Sequence, residues 1–145
     1  MGTWDTGPFD NDIAADFGGD LDEAAREERE PMIRGVLARA ASPADFLGIS
    51  DGERAVAAAA LVVAQLPDGE PACLNYGPSE PVPELPADLQ MLAVDALDQV
   101  VSDRSELAEQ WAEAANWRKW RQEITRLRDR LDPPIPPQEE ALFEI

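Results

Sequence analysis

A chain of 145 residues is long enough to bury one core and too short for two comfortable ones. Thirty acidic residues against twelve basic ones leave a formal charge of -18, which sets a general phosphate-backbone binder against its own field, and the complete lack of histidine removes imidazole acid–base chemistry, the common catalytic triads and every His-containing zinc site. The single cysteine, Cys73, excludes an internal disulfide and a multi-thiolate metal site and suits a reducing cytoplasm.

Residues 1–11 are rich in Gly, Pro and aromatics without a helical period, and read as an arm carrying Trp4 and Phe9. A first helix follows. Asp10, Asn11 or Asp12 can accept the free amide hydrogens of its first turn, and Ile13, Phe17, Leu21 and Ala24 or Ala25 recur at three- and four-residue spacing. Phe9 stands where it can staple onto Ile13 or Phe17, and Gly18-Gly19 marks a kink or a close approach. Pro31 reads as the first residue of a second helix with Met32, Ile33, Val36, Leu37 and Ala40 on its apolar side and a stop near Ser42. A short helical turn then carries Phe46 and Leu47 and ends at Gly48. Ser50-Asp51-Gly52-Glu53 has the form of a capping box, and residues 55–66 behind it are apolar on every side, as in a central helix enclosed by others. Its longest apolar run, residues 55–64, is half of what a bilayer-spanning helix needs, and the first residues lack the basic and apolar regions of a secretory leader.

Six prolines between residues 67 and 86 exclude a continuous helix or a central strand there and predict a long loop, tacked down by Leu74, Tyr76, Val82 and Leu85. Pro86 opens the next helix, with Leu89, Leu92, Ala93, Ala96, Leu97 and Val100 as its stripe. Asp103-Arg104-Ser105-Glu106 is a second capping-box candidate ahead of a region carrying Leu107, Trp111, Ala114, Trp117, Trp120, Ile124, Leu127 and Leu131, which Asn116 divides in two. Pro133, Pro134, Pro136 and Pro137 end it before an acidic tail. These elements predict an all-α bundle of about five or six helices over residues 1–131, with an arm at 1–11, a Pro-rich loop at 67–86 and a tail at 132–145.

The opening Met1-Gly2-Thr3-Trp4-Asp5-Thr6-Gly7-Pro8-Phe9-Asp10-Asn11-Asp12, followed by Ala14, Ala15, Asp16 and Phe17, resembles the start of a bacterial family catalogued only as domain of unknown function 4259. Asp45-Phe46-Leu47, the Ala-rich helix after Glu53, and Ser105-Glu106-Leu107 leading to Trp111 and Trp120 resemble its later segments, so the likeness covers about residues 1–131. Members usually carry Gly where Asp5 stands, and often an acid within the Ala-rich helix where this chain has only Ala and Leu. The resemblance implies a small helical domain and brings no established chemistry.

Asp12, Asp16, Asp20, Glu23 and Glu27 are placed on one side of the first helix, where they form either a solvated acidic face, a docking surface or oxygen ligands for a hard cation. The cation reading is the weaker one, because a twelve-residue calcium loop begun at Asp16 puts Gly18 at its third position and Leu21 at its sixth. No metal site and no cofactor is therefore expected. Trp4, Phe9, Asn11 and Asp12 form an N-terminal motif that is structural or binding. Trp117, Arg118, Trp120 and Arg121 belong to a stretch, residues 118–130, with six basic residues against two acids, and such a mixture suits an acidic surface or a single strand of nucleic acid. The plainer reading places the tryptophans in the core and pairs the arginines with the acidic first helix, of the same chain or of a second copy.

The expected function is a non-catalytic interaction module of the bacterial cytoplasm, regulatory or immunity-type, whose acidic surface engages a basic protein partner or a second copy; general nucleic-acid binding and membrane association are not expected. The alternatives are a metal-dependent enzyme using Asp12, Asp16 and Asp20, and an acidic mimic of DNA.

Overall fold

The computed structural model describes residues 11–42, 46–65 and 86–132. They form six helices: α1 (Asp12–Glu23), α2 (Arg26–Ala41), α3 (Ile49–Ala64), α4 (Asp88–Val100), α5 (Glu106–Ala112) and α6 (Trp117–Leu131). The chain is an all-α bundle, as its periodicity predicts. Trp4 and Phe9 of the arm, residues 67–85 of the Pro-rich stretch and residues 133–145 of the tail lie outside the described residues.

The helix that is apolar on every side becomes the axis. Residues 55–63 of α3 are all buried, and α3 packs against each of the other five helices. Its alanines let neighbours approach closely, and α2 and α4 close on it and on each other to make a three-helix centre. Ile33 and Leu37 of α2 and Leu89, Leu97 and Val100 of α4 are completely buried. Each large side chain of that kind stabilises the fold by roughly 1.5–3 kcal/mol relative to exposure. α1 lies on α3 through Ala14, Phe17, Gly18 and Leu21, while α6 leans on α3, α4 and α5.

Several ends differ from expectation. α1 starts as read, with the Asn11 Oδ1 accepting the Ala14 amide hydrogen at 2.8 Å. It ends at Glu23, where Ala24 and Ala25 turn extended, and α2 begins five residues before Pro31. Pro31 thus lies inside α2 and not at its first position, on a helical run (Arg26, Glu27, Glu28, Arg29, Glu30) of good helix formers. The corner is closed by Arg29, whose guanidinium donates to the Asp22 carbonyl at 3.3 Å, a last-turn acceptor that α1 leaves unsatisfied.

Leu47 does not belong to a helical turn. Its N–H donates to the Arg104 carbonyl (2.8 Å) and its carbonyl accepts from Glu106 (2.9 Å), a single parallel bridge to Ser105. Gly48 is then the N-cap of α3 and not the stop of a turn, so α3 begins at Ile49, ahead of the Ser50 capping box. A carboxylate from another helix serves this end: Glu106 Oε1 accepts the Ile49 amide hydrogen at 2.9 Å. The second capping box is likewise displaced, since Ser105 is the N-cap of α5 and its hydroxyl accepts from Ala108 at 3.2 Å. Gly52, on the buried side of α3, leaves room for Leu107 of α5; a Cβ there would stand 3.3 Å from the Leu107 Cβ and Cδ2. Asn116 does divide the last region, as the N-cap of α6.

Candidate functional site

Two surfaces carry the residues singled out in the sequence. On α1, burial of Ala14, Phe17, Gly18 and Leu21 against α3 turns Asp12, Asp16, Asp20 and Glu23 outward, and all four are exposed. Their spacing of four, four and three residues keeps them on one face. None of the four forms an ion pair with a described residue, whereas some acids elsewhere do, among them Asp88 with Arg34, Asp98 with Arg128 (2.7 Å) and Glu123 with Arg126 (3.0 Å). Glu27 does not share their helix. The break at Ala24 and Ala25 places it in the first turn of α2, where it is exposed. Among the described residues no three acidic or cysteine side chains are grouped so that they could hold one metal ion.

The second surface is the corner where α5 meets α6. Trp111 of α5 and Trp120 of α6 are buried and stacked, ring centroids 5.6 Å apart and planes 9° from parallel. Trp117 departs from the expectation that the tryptophans are core. It stands at the edge of the buried stripe of α6 (Trp120, Ile124, Leu127, Leu131), is 36% exposed, and lies beneath Arg118, whose guanidinium carbon is 5.4 Å from the ring centroid. Together Ala108, Trp111, Ala112, Trp117, Trp120 and Arg121 line a pocket of about 200 Å³. A shallower, more open hollow continues along α6, lined by Arg121, Gln122, Thr125, Arg126, Asp129 and Arg130.

Three of the four basic and aromatic candidates therefore line one pocket, and the fourth, Arg118, covers its exposed ring. The α5 wall was missed as part of a site, although its pattern, Ala108 and Ala112 beside Trp111, holds small residues next to a large ring and so leaves a recess. Two of the arginines have partners away from α1. Arg126 pairs with Glu123 on its own helix, and Arg128 with Asp98 of α4, whose hydrogen bond raises the Arg128 pKa. Arg118 and Arg121 form no ion pair with a described residue.

The strongest electrostatic knot lies away from both surfaces. Arg34 of α2 donates to both carboxylate oxygens of Asp88 (2.7 and 3.2 Å) and to Glu30 (2.8 Å), fixing the start of α4 to the middle of α2. The hydrogen bond to Asp88, then that to Glu30, raises the Arg34 pKa, and the same hydrogen bond from Arg34 holds Asp88 below its usual range.

Residues 2–123 match the model of a family described as a domain of unknown function, DUF4259. No curated protein and no solved structure matches the chain.

Proposed function

This chain belongs to the DUF4259 family, and we propose that it acts as a non-catalytic, cytoplasmic protein-interaction module that presents the outer face of α1 to a basic partner. The observation that supports this reading is the unmatched set Asp12, Asp16, Asp20 and Glu23, exposed on a helix whose opposite side is locked to the core. Successive like charges one turn apart cost a helix roughly 0.2–0.5 kcal/mol per pair, a penalty that opposite charges on a partner would reverse. The remainder of the chain reinforces the field, for residues 1–100 hold twenty acids and five bases, a net of -15, against -3 for residues 101–145. Such a field raises association rates with basic proteins and repels acidic ones.

The test is a kinetic comparison. A partner crosslinked to the wild-type chain in its source cells and purified is expected to associate more slowly with the combined variant Asp12→Asn, Asp16→Asn, Asp20→Asn, Glu23→Gln, with a flatter dependence on salt, while helicity is retained. Equal association rates for the two proteins would refute the reading. Sedimentation across ionic strength identifies self-pairing: a dimer that dissociates as salt rises makes the basic partner a second copy.

A further inference from the structure

Three indole rings around one recess make the α5–α6 corner a site for a flat ring, and the groups at its mouth determine what that ring carries. Trp111 and Trp120 form the buried wall, while the exposed residues Ala112, Trp117 and Arg121 border the opening. Drug-sized ligands occupy pockets of roughly 300–1,000 Å³, but a cavity of roughly 150 Å³ already accepts benzene. The volume of about 200 Å³ therefore admits a single ring with a short substituent and excludes a nucleotide.

Charge selects the substituent. No lining residue is acidic, and Arg121 forms no ion pair with a described residue. Trp117 and Arg121 stand one turn apart on α6, so a group attached to a ring beside the Trp117 indole comes within reach of the guanidinium. A cationic substituent meets no free aromatic cage, because Trp111 and Trp120 stack on each other and Arg118 is already seated over Trp117. The start of α6 adds to the preference for an anion. Trp117 is its first residue, its first turn contains no acid, and the N-cap Asn116 makes no side-chain capping bond, so the positive end of the helix dipole receives no carboxylate from its own first turn. One negative charge suits the site better than several. A multiply charged ligand works against a chain of charge -18, whereas fields are screened beyond about 8–10 Å and a single carboxylate meets mainly its near neighbours.

We propose that this pocket binds a small aromatic monocarboxylate, with the ring against the indoles and the carboxylate on Arg121. This goes beyond the reading of the acidic face and does not depend on it. The probe is phenylacetate, titrated into the full chain and followed through the tryptophan indole N–H signals by nuclear magnetic resonance, with phenylacetamide and phenethylamine as its neutral and cationic counterparts. The expected result is a saturable shift of the Trp117 and Trp120 signals with the α1 amides unmoved, at a dissociation constant below about 1 mM, within reach of a ligand of about ten non-hydrogen atoms. Phenylacetamide is expected to bind about three- to tenfold more weakly, and phenethylamine more weakly still. Arg121→Gln, at an exposed position, is expected to erase the advantage of the carboxylate and leave the affinity for phenylacetamide unchanged, which separates a lost charge from a lost fold. Ala112→Leu, also exposed, narrows the mouth and is expected to weaken both probes alike. Shifts that do not saturate overturn the proposal, as do equal affinities for the three probes. So does a carboxylate advantage that survives Arg121→Gln, or binding indifferent to Ala112→Leu in a chain of unchanged helicity.

Discussion

The Glu106 carboxylate accepts the amide hydrogen of Ile49, so the first residue of α5 caps the first turn of α3 from 57 positions away. It also stands in the first turn of its own helix, and one negative charge therefore serves two helix N-termini. Glu106→Ala is expected to lower stability by about 0.5–2 kcal/mol, the usual worth of an N-cap. Glu106→Gln keeps an acceptor and loses only the charge, so its denaturation midpoint should fall between those of Ala and wild type. An alanine variant as stable as wild type would show that water replaces the cap.

Glycine replacements on α2 and α3 are expected to act in opposite directions. Gly35, exposed in the middle of α2, has open space around the position of a Cβ, so Gly35→Ala gains helix propensity of about 0.5–1 kcal/mol. At Gly52 the added methyl meets the Leu107 Cβ and Cδ2 at 3.3 Å, and overpacking of about 1–3 kcal/mol exceeds that gain. Denaturant midpoints moving up for the first and down for the second are the expected pair.

The three tryptophans of the α5–α6 corner should separate in energy. Trp111→Ala and Trp120→Ala each remove a buried ring and are expected to cost about 3–5 kcal/mol. Their double-mutant cycle should return a coupling of about 0.5–1.5 kcal/mol for the stacked pair. Trp117→Ala, at an exposed ring, is expected to cost far less, and a loss equal to that of Trp120→Ala would contradict its exposure.

The Arg34–Asp88 pair carries a pH dependence whose sign is fixed by the depressed Asp88 pKa. A carboxylate whose folded-state value lies below the ordinary 3.8 contributes its full stability above 3.8 and loses it as pH falls through the folded value. The gap in denaturation midpoint between wild type and Asp88→Asn is therefore expected to be present at neutral pH and to close in acid below 3.8. Both side chains are well solvated, so the gap is small and added salt narrows it. A gap that persists unchanged in acid would assign the effect of the substitution to packing.

Helices were legible wherever a stripe at helical spacing met a core. The Ala-rich run of α3, the Leu89 to Val100 stripe and the Asn116 break all read directly from local pattern. What local pattern did not contain was the placement of ends by distant partners. Ile49 begins α3 because Glu106 reaches it, and a capping box two residues later is only a nearby match. The α1–α2 corner carries no Gly or Pro at Ala24 and Ala25, so the acidic period appeared to run on to Glu27. Trp117 shares the spacing of core residues but sits at the edge of the buried arc, a rotation that depends on how α6 meets α5. The acidic face, by contrast, was readable for Asp12, Asp16, Asp20 and Glu23, because the same periodicity that buries Phe17 and Leu21 expels them.

The clasp of Leu47 on Arg104 and Glu106 also bears on the order in which the molecule assembles. It joins chain positions almost sixty apart, and the entropy of closing so long a segment is not repaid until α3 and α4 have already docked. Contacts of that kind belong after the rate-limiting step. Replacements at Leu47 or Glu106 should consequently steepen the loss of the native state while leaving the refolding limb of a chevron nearly unchanged, whereas those at Leu97 or Val63, within the α3–α4 centre, should slow refolding itself.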